Sequence, residues 1–183
     1  MQHRLTTPLL PAVRQQLVAG DTCLLSGEIY TARDAAHARL VAAIEQGEEL
    51  PFNLQDALIY YVGPCRPAQG RVVGAAGPTT SGRMDAYTPA LLRQGLAGTI
   101  GKGKRSQAVK AAMLEHGAVY FAATGGAGAL LARSVVASQL LLYPDLGTEA
   151  VYRLEVKDFP LLVAIDSKGN DIYELGPQSY RSK

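Results

Sequence analysis

Cysteine is scarce in this chain of 183 residues. Only Cys23 and Cys65 occur, and they lie too far apart for the short spacing of a metal-binding thiolate pair. Two thiols cannot supply the three or four ligands of an iron–sulfur cluster, so the chain alone reads as a poor metal binder. Histidine is scarce as well: His3, His37 and His116 are widely separated and show no ligand pattern. In a reducing compartment no disulfide between the two cysteines is expected. No stretch approaches the roughly 18 consecutive apolar residues of a transmembrane helix. The opening Met1-Gln2-His3-Arg4-Leu5-Thr6-Thr7-Pro8 has no apolar core of signal-peptide length, so cytoplasm is the expected location. Excess charge of either sign is also missing. The formal net charge is +2 and the basic residues are scattered, which argues against nucleic acid or a membrane surface as the main partner.

What is present is ordinary for a soluble globular protein: 48% hydrophobic and 19% charged residues. The length suits one domain over 1–183, with no repeat, low-complexity stretch or linker to divide it. Thr22–Tyr30 reads as a strand, followed by a helix opened by the capping-box-like Thr31-x-x-Asp34, with Ala36, Leu40 and Ile44 on one face. Leu58–Val62 and Arg71–Ala76 read as strands, and Thr88 as the N-cap of a helix that ends at Gly95. Gly98–Gly101 predicts a strand, Ser106 caps a helix closed by His116-Gly117, and Ala118–Ala123 predicts another strand. Beyond Val135 the pattern turns to strands at Leu140–Tyr143, Val151–Val156, Leu161–Ile165 and Asp171–Leu175, with a turn over Ser167-Lys168-Gly169-Asn170. Alternation in the middle and strands towards the ends predict an α/β domain with a mixed sheet.

Chemistry concentrates in the loops. Gly77-Pro78-Thr79-Thr80-Ser81-Gly82-Arg83 is small, hydroxyl-rich and placed between a strand and a helix, where backbone N–H groups and a guanidinium fork favour a carboxylate. A tight turn with a solvent-exposed arginine explains the same residues equally well. Lys102, Lys104 and Arg105 precede a helix N-terminus, where three cations oppose the macrodipole unless an anion offsets them. Arg33 and His37 share a helical face, although a lone histidine is more often structural. Thr124–Gly128 lacks full dinucleotide-loop spacing and is a weak nucleotide candidate. Ligands of open α/β sheets gather at strand ends, so Arg33, Arg83 and Lys102 are expected to converge on a doubly charged anion.

Gly77-Pro78-Thr79-Thr80-Ser81-Gly82-Arg83-Met84-Asp85 resembles the signature of the β region of class I iron–sulfur fumarate hydratases and L-tartrate dehydratases. Four other stretches agree with it: Thr31–His37, Ile59–Pro64, Lys102–Ser106, and Asp158-Phe159-Pro160 with Asp166–Asp171. The resemblance implies a swivelling β/β/α type of domain and a hydro-lyase active only with an α subunit. That subunit, not this chain, would bind a 4Fe-4S cluster through three cysteines, and the active site would lie between the two chains. By position, Thr79 corresponds to the proton-abstracting base and His37 to an active-site histidine. Arg33, Arg83 and Lys102 correspond to carboxylate-binding groups, and Thr80 stands beside them in the signature. Gly82-Arg83-Met84-Asp85 and Lys102–Ser106 follow the fumarase pattern, so fumarate and malate are the expected pair, with tartrate or mesaconate as alternatives. A heterodimer or a dimer of heterodimers is compatible with the resemblance. From a different class, a non-catalytic module that binds phosphometabolites is the competing reading of the glycine-rich basic loops.

Overall fold

Alternation along one short strand sets the architecture. In Leu58-Ile59-Tyr60-Tyr61, Leu58 and Tyr60 enter one buried cluster while Ile59 and Tyr61 enter another. Successive side chains of a strand point to opposite faces, so this strand is covered on both. The computed structural model describes residues 1–124 and 126–181, the side chains of 178–181 excepted.

The strands are β1 (Gln2–Thr6), β2 (Thr22–Thr31), β3 (Leu58–Tyr60), β4 (Gly98–Gly101), β5 (Val119–Ala122), β6 (Val135–Leu142) and β7 (Val151–Ile165). They form one mixed sheet in the order β1-β2-β3-β4-β5-β7-β6. Neighbours from β1 to β5 run parallel, whereas β7 runs antiparallel to β2, β5 and β6. Leu162 of β7 pairs with Thr22 of β2 on one side and Ala122 of β5 on the other, so the sheet curls closed on itself. Leu25, Ile29, Phe121, Phe159 and Val163 fill one cluster. The other packs beneath helices α2 (Asp34–Glu45), α3 (Thr88–Arg93) and α4 (Gln107–His116) through Leu40, Leu91 and Met113. This is the α/β domain with a mixed sheet that the alternation predicts.

Ser106 caps α4 as expected, its Oγ accepting from the N–H of Val109, and Gly117 closes the helix in the left-handed conformation at φ 59°. Other expectations give way. Thr31 does not cap α2; Arg33 holds that position without a side-chain cap. The Thr31 hydroxyl instead accepts from the N–H of Tyr152 and donates to Ala150 O, tying β2 to β7. Thr88 is the first residue of α3 rather than its cap, because its hydroxyl turns inward to Met84 O. Arg71–Ala76 is a loop, not a strand. The two strands expected across Val151–Ile165 are one, bent where Asp158 adopts φ 48° and donates its N–H to Ser26 Oγ. Asp171–Leu175 opens a helix, Ile172–Arg181, because the Asp171 carboxylate accepts the N–H of Tyr173. β1 and the single turn of helix α1 (Pro11–Arg14) add elements to the N-terminal stretch.

Candidate active site

Because β2, β3, β4 and β5 are parallel, their C-terminal ends share one edge; Thr31 pairs with Tyr60 and Tyr60 with Ile100. Past that line the signature loop wedges between the diverging chains. The N–H of Thr79 donates to Tyr61 O at 2.7 Å, and the N–H of Lys102 donates to Thr79 O at 3.3 Å. The N–H of Ser81 then donates to Lys102 O at 2.9 Å, and Thr80 and Lys102 form a parallel bridge. The fit requires glycine at position 101, since a Cβ there would stand 2.0 Å from Ser81 Oγ. Backbone pairing thus sets Thr79, Thr80 and Lys102 side by side.

Arg83 reaches the start of α2 from a short turn of 3-10 helix at Ser81–Met84. Its Nε donates to Asp34 Oδ1 at 3.0 Å and its Nη2 lies 2.8 Å from Asp34 Oδ2. The preceding residue, Arg33, extends over Gly63 to Glu149, with Nη2 to Oε1 at 3.3 Å. A Cβ on Gly63 would fall 2.8 Å from Arg33 Nη1. Lys102 is exposed and pairs with no carboxylate among the described residues. All three predicted cations therefore lie on loops of one edge, two of them each held by an acid of this chain. The Thr79 side chain is half-buried and Thr80 is exposed.

His37 is fully buried, one turn into α2. Its Nδ1 lies 2.9 Å from Arg33 O, an acceptor, so Nδ1 carries the proton. Nε2 is then a bare acceptor without a partner among the described residues, and the ring stands edge-on to Tyr61 with centroids 5.2 Å apart. Burial lowers its pKa from 6.5 to about 4, the Arg33 carbonyl only partly opposing this, so the ring is neutral at pH 7.

Beneath the loops lies a group of polar side chains that the motif reading left unassigned. Arg105 is fully buried in its side chain. It donates from Nε to Asp85 Oδ1 at 2.7 Å, from Nη1 to Thr99 Oγ1 at 2.9 Å and from Nη2 to Thr88 Oγ1 at 2.8 Å. Its guanidinium lies over the rings of Tyr61 and Tyr120 at 5.3 and 5.1 Å. Asp85 Oδ2 also accepts the N–H of Ser106 at 2.6 Å, so the chain itself supplies the anion that offsets Arg105 and the N-terminus of α4. Tyr120 donates to Gly103 O and shares a hydrogen bond with Ser81 Oγ, both at 2.9 Å. The signal available was the opposite charge of Asp85 and Arg105, each in a quoted motif. Of the remaining candidate, Thr124–Gly128, residue 125 lies outside the described residues, and Gly128 O serves to accept the N–H of Ala76.

The edge therefore offers cations and hydroxyls over a buried, paired floor, suited to holding an anion with two charged ends. Among the described residues no group of three or more His, Cys, Asp or Glu could hold a metal ion. Cys23 is buried, its thiol pushed up to about 12 by that burial, and Cys65 is exposed. These residues do not fit a resident cluster.

A family profile described as "Fumarase C-terminus" matches residues 3–176. The chain belongs to this family. Its relatives include "Fumarate hydratase 2" of Leishmania major, 42% identical over 88% of this chain and 29% of that protein. "Fumarate hydratase class I, aerobic" of Escherichia coli strain K12 is 43% identical over 82% of this chain and 28% of that protein. A Methanocaldococcus jannaschii protein that carries the name of an L(+)-tartrate dehydratase subunit beta is 40% identical over 87% of this chain and 85% of its own length. The chain thus spans little more than a quarter of the fumarate hydratases it matches. No helix among the described residues is long and apolar enough to cross a membrane.

Proposed function

We propose that this fumarase C-terminus chain is the β subunit of a class I fumarate hydratase, catalysing reversible hydration of fumarate to malate together with an Fe–S-bearing α subunit. The observation that carries the reading is the backbone pairing of Thr79–Ser81 with Lys102, on the edge where Arg33 and Arg83 also emerge. In this reading the 4Fe-4S cluster belongs to the α subunit, in a heterodimer or a dimer of heterodimers.

Each residue has a role that its surroundings support. Arg83 spends Nε and Nη2 on Asp34, which orients the fork and leaves Nη1 for one substrate carboxylate. Lys102, with no carboxylate partner among the described residues, takes the charge that builds when a proton leaves the carbon beside a carboxylate. Arg33 binds at the other end, its reach fixed by Glu149 and by the bare backbone of Gly63. Thr79 is the proton-abstracting group and Thr80 a neighbouring hydroxyl donor. A threonine hydroxyl needs nearby cations to favour its ionised form, which Lys102 and Arg83 supply. His37 is the active-site histidine of this reading, acting from a neutral, buried ring whose Nδ1 proton holds the Arg33 carbonyl at the start of α2.

A second reading, the β subunit of an L-tartrate dehydratase, is favoured by the match across 85% of a chain bearing that subunit name. One experiment separates these. The chain is combined with its cluster-bearing partner under anaerobic conditions and assayed with fumarate, L-tartrate and mesaconate. The proposal expects fumarate to be turned over with the highest kcat/KM and the chain alone to be inactive. Preference for tartrate or mesaconate assigns the second substrate class, and no hydro-lyase activity from an intact, cluster-loaded pair contradicts both readings.

A further inference from the structure

Seven arginines of this protein meet a carboxylate. Apart from Arg93, every arginine whose side chain is described meets a carboxylate, except three that gather in one place. Arg66, Arg71 and Arg133 all line a single cavity of about 330 Å³, and none has an ion-pair partner among the described residues. The remaining lining is Ala68, Val73, Gly74, Ala75, Ala129 and Ala132, small or apolar side chains with no acid among them. The exposed apolar side chains of β6 lack any sign of what covers them, and the acidic hollow around Glu48 and Glu49 has no ligand-directed group; the arginine cavity has both a chemistry and a shape.

The fold holds the cavity in place. The loop after β3 is pinched at its neck, where the N–H of Cys65 donates to Ala75 O and the N–H of Gly74 donates to Cys65 O, both at 3.0 Å. A Cβ on Gly74 would fall 2.5 Å from Arg66 O, so the neck closes only around glycine. The opposite wall is the short helix α5 (Gly128–Arg133), anchored through Gly128 O to the N–H of Ala76. Arg66 and Arg71 from the loop thus line one cavity together with Arg133 from a separate element.

Arg66, Arg71 and Arg133 are exposed, so their mutual repulsion is softened by water, and with no acid in the lining an anion from solution is the partner that would offset it. We infer that this cavity is a second anion site, separate from the Arg33–Arg83–Lys102 edge, taking a small polyanion with at least two charged groups. A phosphate ester and a polycarboxylate share that chemistry. The site does not depend on the catalytic reading, since none of its arginines belongs to the edge.

Calorimetric titration of the full chain tests it, with inorganic pyrophosphate in one arm and citrate in the other. The expected result is saturable binding of one equivalent of at least one of them, the tighter arm naming the source. Arg71→Ser with Arg133→Ser should weaken that binding at least tenfold, and Arg83→Ser should leave it within about twofold. Circular dichroism checks that each variant keeps its fold, and single Arg71→Gln and Arg133→Gln variants replace a double variant that does not. Three results would each overturn the site: no saturable binding in either arm, binding that survives removal of Arg71 and Arg133, or binding lost on Arg83→Ser alone.

Discussion

Residues 83 and 85 sit in the same short turn and each makes an ion pair, yet the two pairs belong to different worlds. Arg83–Asp34 lies at the rim, with half of the arginine side chain exposed. Asp85–Arg105 lies in the floor, the arginine wholly buried and its donors shared among Asp85, Thr99 and Thr88. An exposed pair in water contributes little to stability, whereas a buried charge without its partner is very costly. The floor therefore builds the shape of the edge, and the rim is left with charges that a ligand can use.

Arg105→Met should have the largest effect on stability, because it strands the Asp85 carboxylate beside the N–H of Ser106. Denaturant unfolding should show a loss of about 3–5 kcal/mol. Adding Asp85→Leu should recover part of that loss. Full additivity of the two changes would show that the floor is not a coupled unit.

Next comes the pH response of His37, which lies between the two layers. The unfolded chain takes up the proton near pH 6.5, whereas burial delays uptake in the fold to about pH 4. Stability that is fully present above pH 6.5 is therefore lost progressively as the pH falls to 4, by about 3 kcal/mol at 1.4 kcal/mol per pKa unit. Unfolding curves of His37→Gln should be flatter across that window than those of the parent chain; identical pH profiles would remove His37 as the cause.

The smallest effect on stability belongs to the rim. Arg83→Ala should cost no more than about 1 kcal/mol. A loss comparable with that of Arg105→Met would erase the distinction between rim and floor.

The edge was legible in the sequence for a physical reason. Gly77-Pro78-Thr79-Thr80-Ser81-Gly82-Arg83 is small and polar because its backbone must fit between Tyr61 and Lys102, and that constraint leaves a local mark. Lys102 and Arg33 follow strands whose apolar runs are short and clear. The floor was not legible as a unit: Asp85 and Arg105 are 20 residues apart, and only the packing of α3 on α4 turns two surface-like charges into a buried pair. The ends were misread where a single residue decided between conformations. Asp158 bends one strand that reads as two, and the Asp171 carboxylate accepts the N–H of Tyr173 at the start of a helix where the pattern beyond Val135 predicts a strand. β1 gave a weak signal because it is short and only Leu5 within it is fully buried.

Lys102→Met, assayed in the cluster-loaded pair, tests the central claim most directly. The account predicts that kcat/KM for fumarate falls by at least about 100-fold, roughly 2.7 kcal/mol of transition-state stabilisation, while the melting temperature of the chain stays within about 2 °C. An unchanged kcat/KM with the fold intact would contradict it.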